Sequence, residues 1–241
     1  MSLPPPGAIL RNNELNKPYS EGPTNIPIHR DDSGRTLADY PRPSVAVDTA
    51  LLTLDPSGAE LLVLQVRRND DIGWALPGTF LHAGERLADA VERSLRVKSG
   101  VGGLRPRQLH VFDDPERDDR GWVLSVAHLA VVPPDRLSSR IPERTRLMPT
   151  SRPGRLPYGH GGIVARAVDD LRPRYAARPD PDGLLSAEFT LRELRLAHVA
   201  VAGEPLQRDW FRRTMEPRLE PTGDVVTGGR GRPAELFRRG S

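Results

Sequence analysis

WALPGTFLHAGERLADAVERSLRVKSGV, residues 74–101, decides how this chain folds. Leu87, Val91 and Leu95 recur every four residues with Ala88 and Ala90 beside them, an apolar stripe that predicts a helix over residues 83–98. Gly100 should end it, because the residue just past a helix end adopts a left-handed conformation that glycine reaches without a steric penalty. Upstream, SVAVDTALLTL (44–54) and ELLVLQVRR (60–68) are apolar and β-branched, and Asp55-Pro56-Ser57-Gly58 between them is a turn signal. They predict a hairpin whose strands lie in a core. Downstream, residues 108–112 and 122–132 are strand-like, residues 133–157 are rich in Arg and Pro and predict a connecting loop, and residues 163–171 start another helix.

Composition narrows the field. The chain has 241 residues, a formal charge of +3 and 37% hydrophobic residues, enough for compact cores. No run of about 18 apolar residues occurs, so no membrane span is expected. The start, MSLPPPGAIL, lacks the charged-then-apolar pattern of a secretory signal. Cysteine is absent, which removes disulfides, thiolate nucleophiles and thiolate metal sites. Of 35 basic residues only Lys17 and Lys98 are lysines. A high-GC coding bias explains that skew as well as nucleic-acid binding does, although Arg is the better bidentate ligand for phosphate and guanine. Residues 1–42, full of Pro, Gly, Asn and charge without a period, predict a disordered N-terminal arm.

The pattern changes after the break Pro179-Asp180-Pro181-Asp182-Gly183, which divides a domain of residues 43–180 from one of residues 181–241. Thr190-Leu191-Arg192-Glu193 is a capping box. The helix it opens carries Leu191, Leu194, His198 and Val201 on one face and stops at Gly203. Pro205 introduces a second helix over residues 206–216, with Leu206, Trp210, Phe211 and Met215 as its apolar side. Residues 223–239 follow as a two-stranded hairpin with Gly228-Gly229 at its tip. Two helices joined by a short Gly turn, then a basic hairpin, outline a winged helix-turn-helix.

Residues 74–101 resemble a Nudix box, whose pattern is G-x5-E-x7-R-E-U-x-E-E-x-G-U with U apolar. Its first Gly falls on Thr79, its first Glu on Glu85, its Arg on Arg93, and its closing pair on Gly100 and Val101. The resemblance implies a Nudix-like α/β/α sandwich with a mixed sheet, so the whole chain reads as α+β, sandwich first and winged helix second. The departures fall on the chemistry. Ser94 replaces the Glu after the Arg, and Val97 and Lys98 replace the two metal-binding glutamates. Nudix hydrolysis needs divalent cations held by carboxylates. A Lys in that place repels such a cation by a few kcal/mol at an effective dielectric of about 20. No catalytic residue, no metal ligand and no required cofactor is therefore expected. If the pocket still binds a nucleoside diphosphate, Lys98 or Arg67 would supply the phosphate's counter-charge. Lys98 reads equally as a solvated cation favourable to the helix end. Glu85 faces the ligand or is tied to Arg93, and Trp74 is a stacking surface or core.

The C-terminal half resembles the NrtR family, Nudix-related regulators of NAD metabolism. Gly159-His160 before a helix, Glu188 to Leu194, Trp210-Phe211-Arg212-Arg213 and Gly231 to Phe237 carry the likeness. Gly159 stands where the family usually has Asp, and Trp210 where it has Asn. The resemblance implies a homodimeric repressor of NAD biosynthesis or salvage genes on a palindromic operator, in the bacterial cytoplasm on the nucleoid. ADP-ribose, or a related NAD metabolite, is the implied effector, with Arg67, Trp74, Glu85 and Lys98 as candidate ligand-binding residues. Candidate DNA contacts are Thr190, Gln207, Arg208, Arg212 and Arg213, with Arg230 and Arg232 at the wing tip. Arg213 alternatively pairs with Asp209. Two other readings stay open: the same architecture regulating sugar catabolism, and a pyrophosphohydrolase with a metal site rebuilt from Glu85, Glu92 and the Asp113-Asp114-Pro115-Glu116 loop.

Overall fold

The structure, a computed structural model, describes residues 29–68, 73–227 and 233–240. The chain divides into two compact units, Met1–Arg42 and Pro43–Ser241. In the first, Asp31 accepts hydrogen bonds from Ser33, Arg35 and Tyr40 ahead of a short 3-10 turn at Leu37–Asp39. Residues 1–28 of the expected arm lie outside the described residues.

In the second unit the hairpin forms as its sequence directs, from β1 (Ser44–Leu54) and β2 (Leu61–Arg67). Asp55 closes the turn by accepting from the Ser57, Ala59 and Glu60 backbone N–H groups. Two short strands, β3 (Trp74–Ala75) and β4 (Gly78–Phe80), pair with β2 and β1. β5 (Arg107–Phe112) lies antiparallel to β6 (Val123–Val131), and β6 runs parallel to β1, so the sheet is mixed, in the order β3-β2-β1-β6-β5. The alternation along β1 sends Val47 and Leu51 to one face, and Ala50, Leu52 and Leu54 to the other. The first face packs on α1 (Leu87–Ser99) through Ala90, Val91 and Leu95. The second packs on α2 (His160–Ala177) through Ile163, Val164, Ala167 and Leu171.

Several elements differ from the sequence expectation. α1 begins at Leu87 rather than residue 83, since residues 83–86 form the turn that carries Glu85, and Gly100 caps it at φ 77° as expected. Residues 133–157 are more than a loop, because β7 (Thr145–Pro149) pairs with β2. α2 runs through Pro173 and six residues past Leu171.

β8 (Phe189–Thr190), α3 (Leu191–Ala202), α4 (Arg208–Met215), β9 (Leu219–Val226) and β10 (Ala234–Arg239) follow, with a small sheet in the order β8-β10-β9. The capping box is made in full, as Thr190 Oγ1 accepts from Glu193 N–H and the Glu193 carboxylate accepts from Thr190 N–H. α4 starts two residues late, at Arg208, because Gln207 caps it. Phe211 and Met215 alone of its apolar side are buried, and Trp210 is half exposed. These pack with Phe189, Leu194, Leu219 and Phe237 in a separate core, whereas Ala197 and Val201 of α3 join the core of α2 and the sheet. Among the described residues no helix is long and apolar enough to cross a membrane.

α2 thus serves both halves, and its C-terminal end is fastened by Asp180. That carboxylate is fully buried and accepts from Tyr175 Oη (2.7 Å), Leu184 N–H (2.7 Å), Leu185 N–H (3.0 Å) and Arg239 Nε (3.0 Å). Asp180 has a φ of 43°, a region that Asp tolerates better than most residues. Its own N–H donates to His198 Nε2 at 3.3 Å. His198 is buried between the Tyr175 and Phe211 rings, and that burial drives its pKa down to about 4. The unfolded chain takes up the same proton near pH 6.5. Between those values the unfolded state binds more protons, so stability falls as pH is lowered through the window. By pH 4.5 the expected loss from His198 is about 2–3 kcal/mol. Urea denaturation at pH 7 and 4.5 checks this: His198→Gln should lose less stability on acidification than the unsubstituted chain, and an equal loss contradicts it.

Candidate functional site

A cleft of about 480 Å³ lies over the ends of β1, β4 and α1 and the residues that lead into α2. That volume is within the range of about 300–1,000 Å³ usual for small-ligand sites. Among the described residues six basic ones line it against two acidic ones, Asp48 and Asp118, an excess of positive charge that favours an anion.

Asp48 sits where the otherwise apolar β1 reaches the cleft. It accepts from Ser125 Oγ at 2.6 Å and from His160 Nε2 at 3.2 Å, with Arg117 3.8 Å away. Burial works to raise its pKa, and these three partners outweigh burial and hold the carboxyl below its usual range. His160 Nδ1 accepts the Leu76 N–H at 3.0 Å. A backbone N–H can only donate, so Nδ1 carries no proton and the ring donates from Nε2 to Asp48. This pairing ties the first residue of α2 to β1 and to the loop that enters β4. Gly78 is packed against the same carboxylate: a Cβ there would lie 1.9 Å from Asp48 Oδ1.

Asp118 holds Arg120 through two hydrogen bonds of 2.8 and 2.7 Å, and Arg120 stacks over the Tyr158 ring at 4.0 Å. Tyr158 has a φ of 56°, a rare conformation for a non-glycine residue, and Arg117 donates to its carbonyl at 2.6 Å. Asp48, Arg117, Arg120 and Tyr158 were not singled out in the sequence. Only Asp48 left a signal there, as a lone carboxylate in an apolar strand.

Of the four candidate ligand residues, Arg67 and Lys98 line this cleft. Trp74 pairs in register with Arg67 but is covered by the Arg146 guanidinium, 4.5 Å from its ring. Glu85 stands outside the lining, clamped to Arg93 by bonds of 2.7 and 2.8 Å and accepting from His82 N–H. Those bonds pull its carboxyl down to about 2. Arg93 spans the turn by also donating to Thr79 Oγ1 and the Phe80 carbonyl. The Lys98 ammonium turns into the cleft and donates to the Gly78 carbonyl. Burial of that ammonium lowers its pKa, the nearby Asp48 charge opposes the shift, and Arg120 and Arg93 add to it.

A divalent cation needs several oxygen ligands at about 2.0–2.6 Å. The residues present do not fit one. Val97 lines the cleft but offers no donor atom. Lys98 brings a positive charge and both Glu85 oxygens are taken, while Glu92 lies outside the cleft lining, its Oε1 accepting from Gly103 N–H and its Oε2 buried without a partner. Asp113, Asp114 and Glu116 are exposed and outside the lining. Among the described residues no three of His, Asp and Glu converge as a metal-holding group.

A second basic surface lies on the helix pair. α3 and α4 turn on Gly203, and Arg192, Arg195, Arg208 and Arg212 line a groove between them with Leu191 and Phe211. Arg192 and Arg195, three apart on α3, stand in this groove beyond the sequence candidates, which lie at the α3 cap, on the second helix and at the wing tip. Arg208 is exposed at the first position of α4. Arg212 pairs with Glu216 at 2.6 Å. Arg213 Nε donates to the Asp209 carbonyl at 3.3 Å rather than to its carboxylate. The Gln207 side chain accepts from Trp210 N–H at 2.5 Å, and the Thr190 hydroxyl is engaged by Glu193. Arg230 and Arg232 lie outside the described residues.

Four likenesses bear on these two surfaces. The family model of the NrtR DNA-binding winged helix domain matches residues 183–239. The chain is 29% identical over 213 residues to the ADPR responsive transcriptional repressor NtrR of Acinetobacter baylyi, covering 83% of this chain and 84% of that protein. It also matches the crystal structure of Shewanella oneidensis NrtR complexed with a 27mer DNA, with a TM-score of 0.70 and 30% identity over 81% of this chain and 93% of that one. A MutT/nudix family protein from Enterococcus faecalis shares the fold, with a TM-score of 0.65 at 23% identity over 84% of this chain and 90% of that one.

Proposed function

The chain belongs to the NrtR family, and from that premise we propose that it is a transcriptional repressor whose Nudix-like part, residues 43–180, senses ADP-ribose or a related NAD metabolite. Residues 181–241 are the DNA-binding part, and genes of NAD biosynthesis or salvage are the targets. The observation that carries this reading is the shared helix. α2 begins in the basic cleft at His160 and ends on the Asp180 knot that holds α3 and β10. A ligand that moves Tyr158 or His160 acts directly on the element that seats the winged helix. The size of the response is bounded by the ligand's differential affinity for the two arrangements.

In this reading the cleft binds without hydrolysing, which the missing carboxylates at Val97 and Lys98 support. The protein acts as a homodimer in the cytoplasm, on the nucleoid, because two-fold protein symmetry suits a palindromic operator. A mobility shift on DNA upstream of the chain's own operon tests the regulator. Operator DNA should outcompete random sequence, and equal competition contradicts the reading. Incubation with ADP-ribose and magnesium tests the absence of catalysis, and release of AMP would overturn it.

A further inference from the structure

The cleft takes part of its lining from the Nudix-like box segment, yet no three of the described residues converge there to hold a metal. Divalent cations in such sites take oxygen donors, backbone carbonyls included. Here the Gly78 carbonyl, at the head of β4 and facing the cleft, is already occupied by the Lys98 ammonium. The two carboxylates that line the cleft among the described residues are also committed, Asp48 to Ser125, His160 and Arg117, and Asp118 to Arg120. What remains is an excess of positive charge held by the fold. Lys98 is tethered by the carbonyl, and Arg120 is fixed between Asp118 and the Tyr158 ring.

Resting on the ADP-ribose reading above, we propose that the Lys98 ammonium stands in for the divalent cation, so that this cleft takes a diphosphate ester as the free anion, without magnesium. A lysine suits that place because its ammonium is a compact point charge with three donors, one spent on Gly78 and two left for phosphate oxygens. It neutralises charge as a metal would. It cannot do the metal's second task, which is to acidify a bound water into a nucleophile. The same substitution therefore keeps affinity for the diphosphate and withholds hydrolysis, as a sensor whose signal must survive being read requires.

Isothermal titration of the full chain with ADP-ribose, once in EDTA and once in excess magnesium, tests this. The two Kd values should agree within about twofold, and Lys98→Gln should raise both by about 10- to 100-fold through loss of a charge-assisted hydrogen bond. Circular dichroism checks that the variant is folded, and Lys98→Arg, which keeps the charge without the point geometry, should fall between the two. Binding that requires magnesium, or a Lys98→Gln chain that binds as tightly as the unsubstituted one, overturns the inference and leaves the ADP-ribose reading in place. Binding of ADP-ribose in neither buffer sinks that reading instead. In that case ADP and inorganic pyrophosphate are titrated in EDTA, where binding weakened by Lys98→Gln upholds the metal-free diphosphate site and no binding overturns it.

Discussion

Asp180→Ala is expected to destabilise the unit of residues 43–241 by about 3–5 kcal/mol, the usual cost of removing one partner of a buried ion pair. The exchange strands several groups at once. Arg239 loses its carboxylate, the Tyr175 hydroxyl loses its acceptor, and the Leu184 and Leu185 N–H groups are left facing nothing. Each unsatisfied buried donor carries its own penalty, and Ala tolerates the positive φ of this position less well than Asp does. For a unit of this size the loss corresponds to a fall of about 10 °C in the melting midpoint. Asp180→Asn, which keeps an acceptor and the backbone preference, should fall between. Because the knot joins α2 to α3 and β10, loss of ADP-ribose sensitivity should accompany the loss of stability. A melting midpoint unchanged in Asp180→Ala would show that the knot does not hold these elements.

The second large effect is expected at Arg208. Residues at the start of a recognition helix are those that reach base edges in the major groove. Arg208 holds that position on α4 and is exposed, while Arg212 is drawn to Glu216. Arg208→Ala should weaken operator binding by about 1–3 kcal/mol and leave binding to random DNA nearly unchanged. Arg192→Ala, on α3, should instead weaken both equally and reduce the salt slope by about one, the signature of a phosphate contact. Fluorescence anisotropy on both DNAs at several salt concentrations separates the two. Uniform weakening by Arg208→Ala would reassign it to the backbone.

The parts of the fold that the sequence predicted are those with local rules. The β1–β2 hairpin followed from alternation and the Asp55 turn, α1 from its four-residue stripe and Gly100, and α3 from a capping box that forms as written. β7 escaped because it pairs with β2 alone and its half-buried TRLMP segment has no clean alternation among arginines and prolines. Trp210 reads as part of the apolar side of the second helix with Leu206, Phe211 and Met215, yet it stands half exposed. A helix of eight residues in this setting buries only the pair at four-residue spacing, Phe211 and Met215. The cleft was the least legible feature. Its groups come from β1, β4, α1, the 117–120 loop and the entry to α2, and no local pattern unites segments that meet only after folding. Lys98 was visible because a family pattern gave its position a meaning.

Coupling between the cleft and the winged helix is what a repressor sensing a metabolite requires, and one titration addresses it. Labelled operator DNA is bound to the full chain and its anisotropy followed at rising ADP-ribose. The predicted result is a change in DNA affinity of about 5- to 150-fold, a coupling of about 1–3 kcal/mol, with DNA changing the ADP-ribose affinity by the same factor. Specific DNA binding that stays constant at saturating ADP-ribose would contradict it.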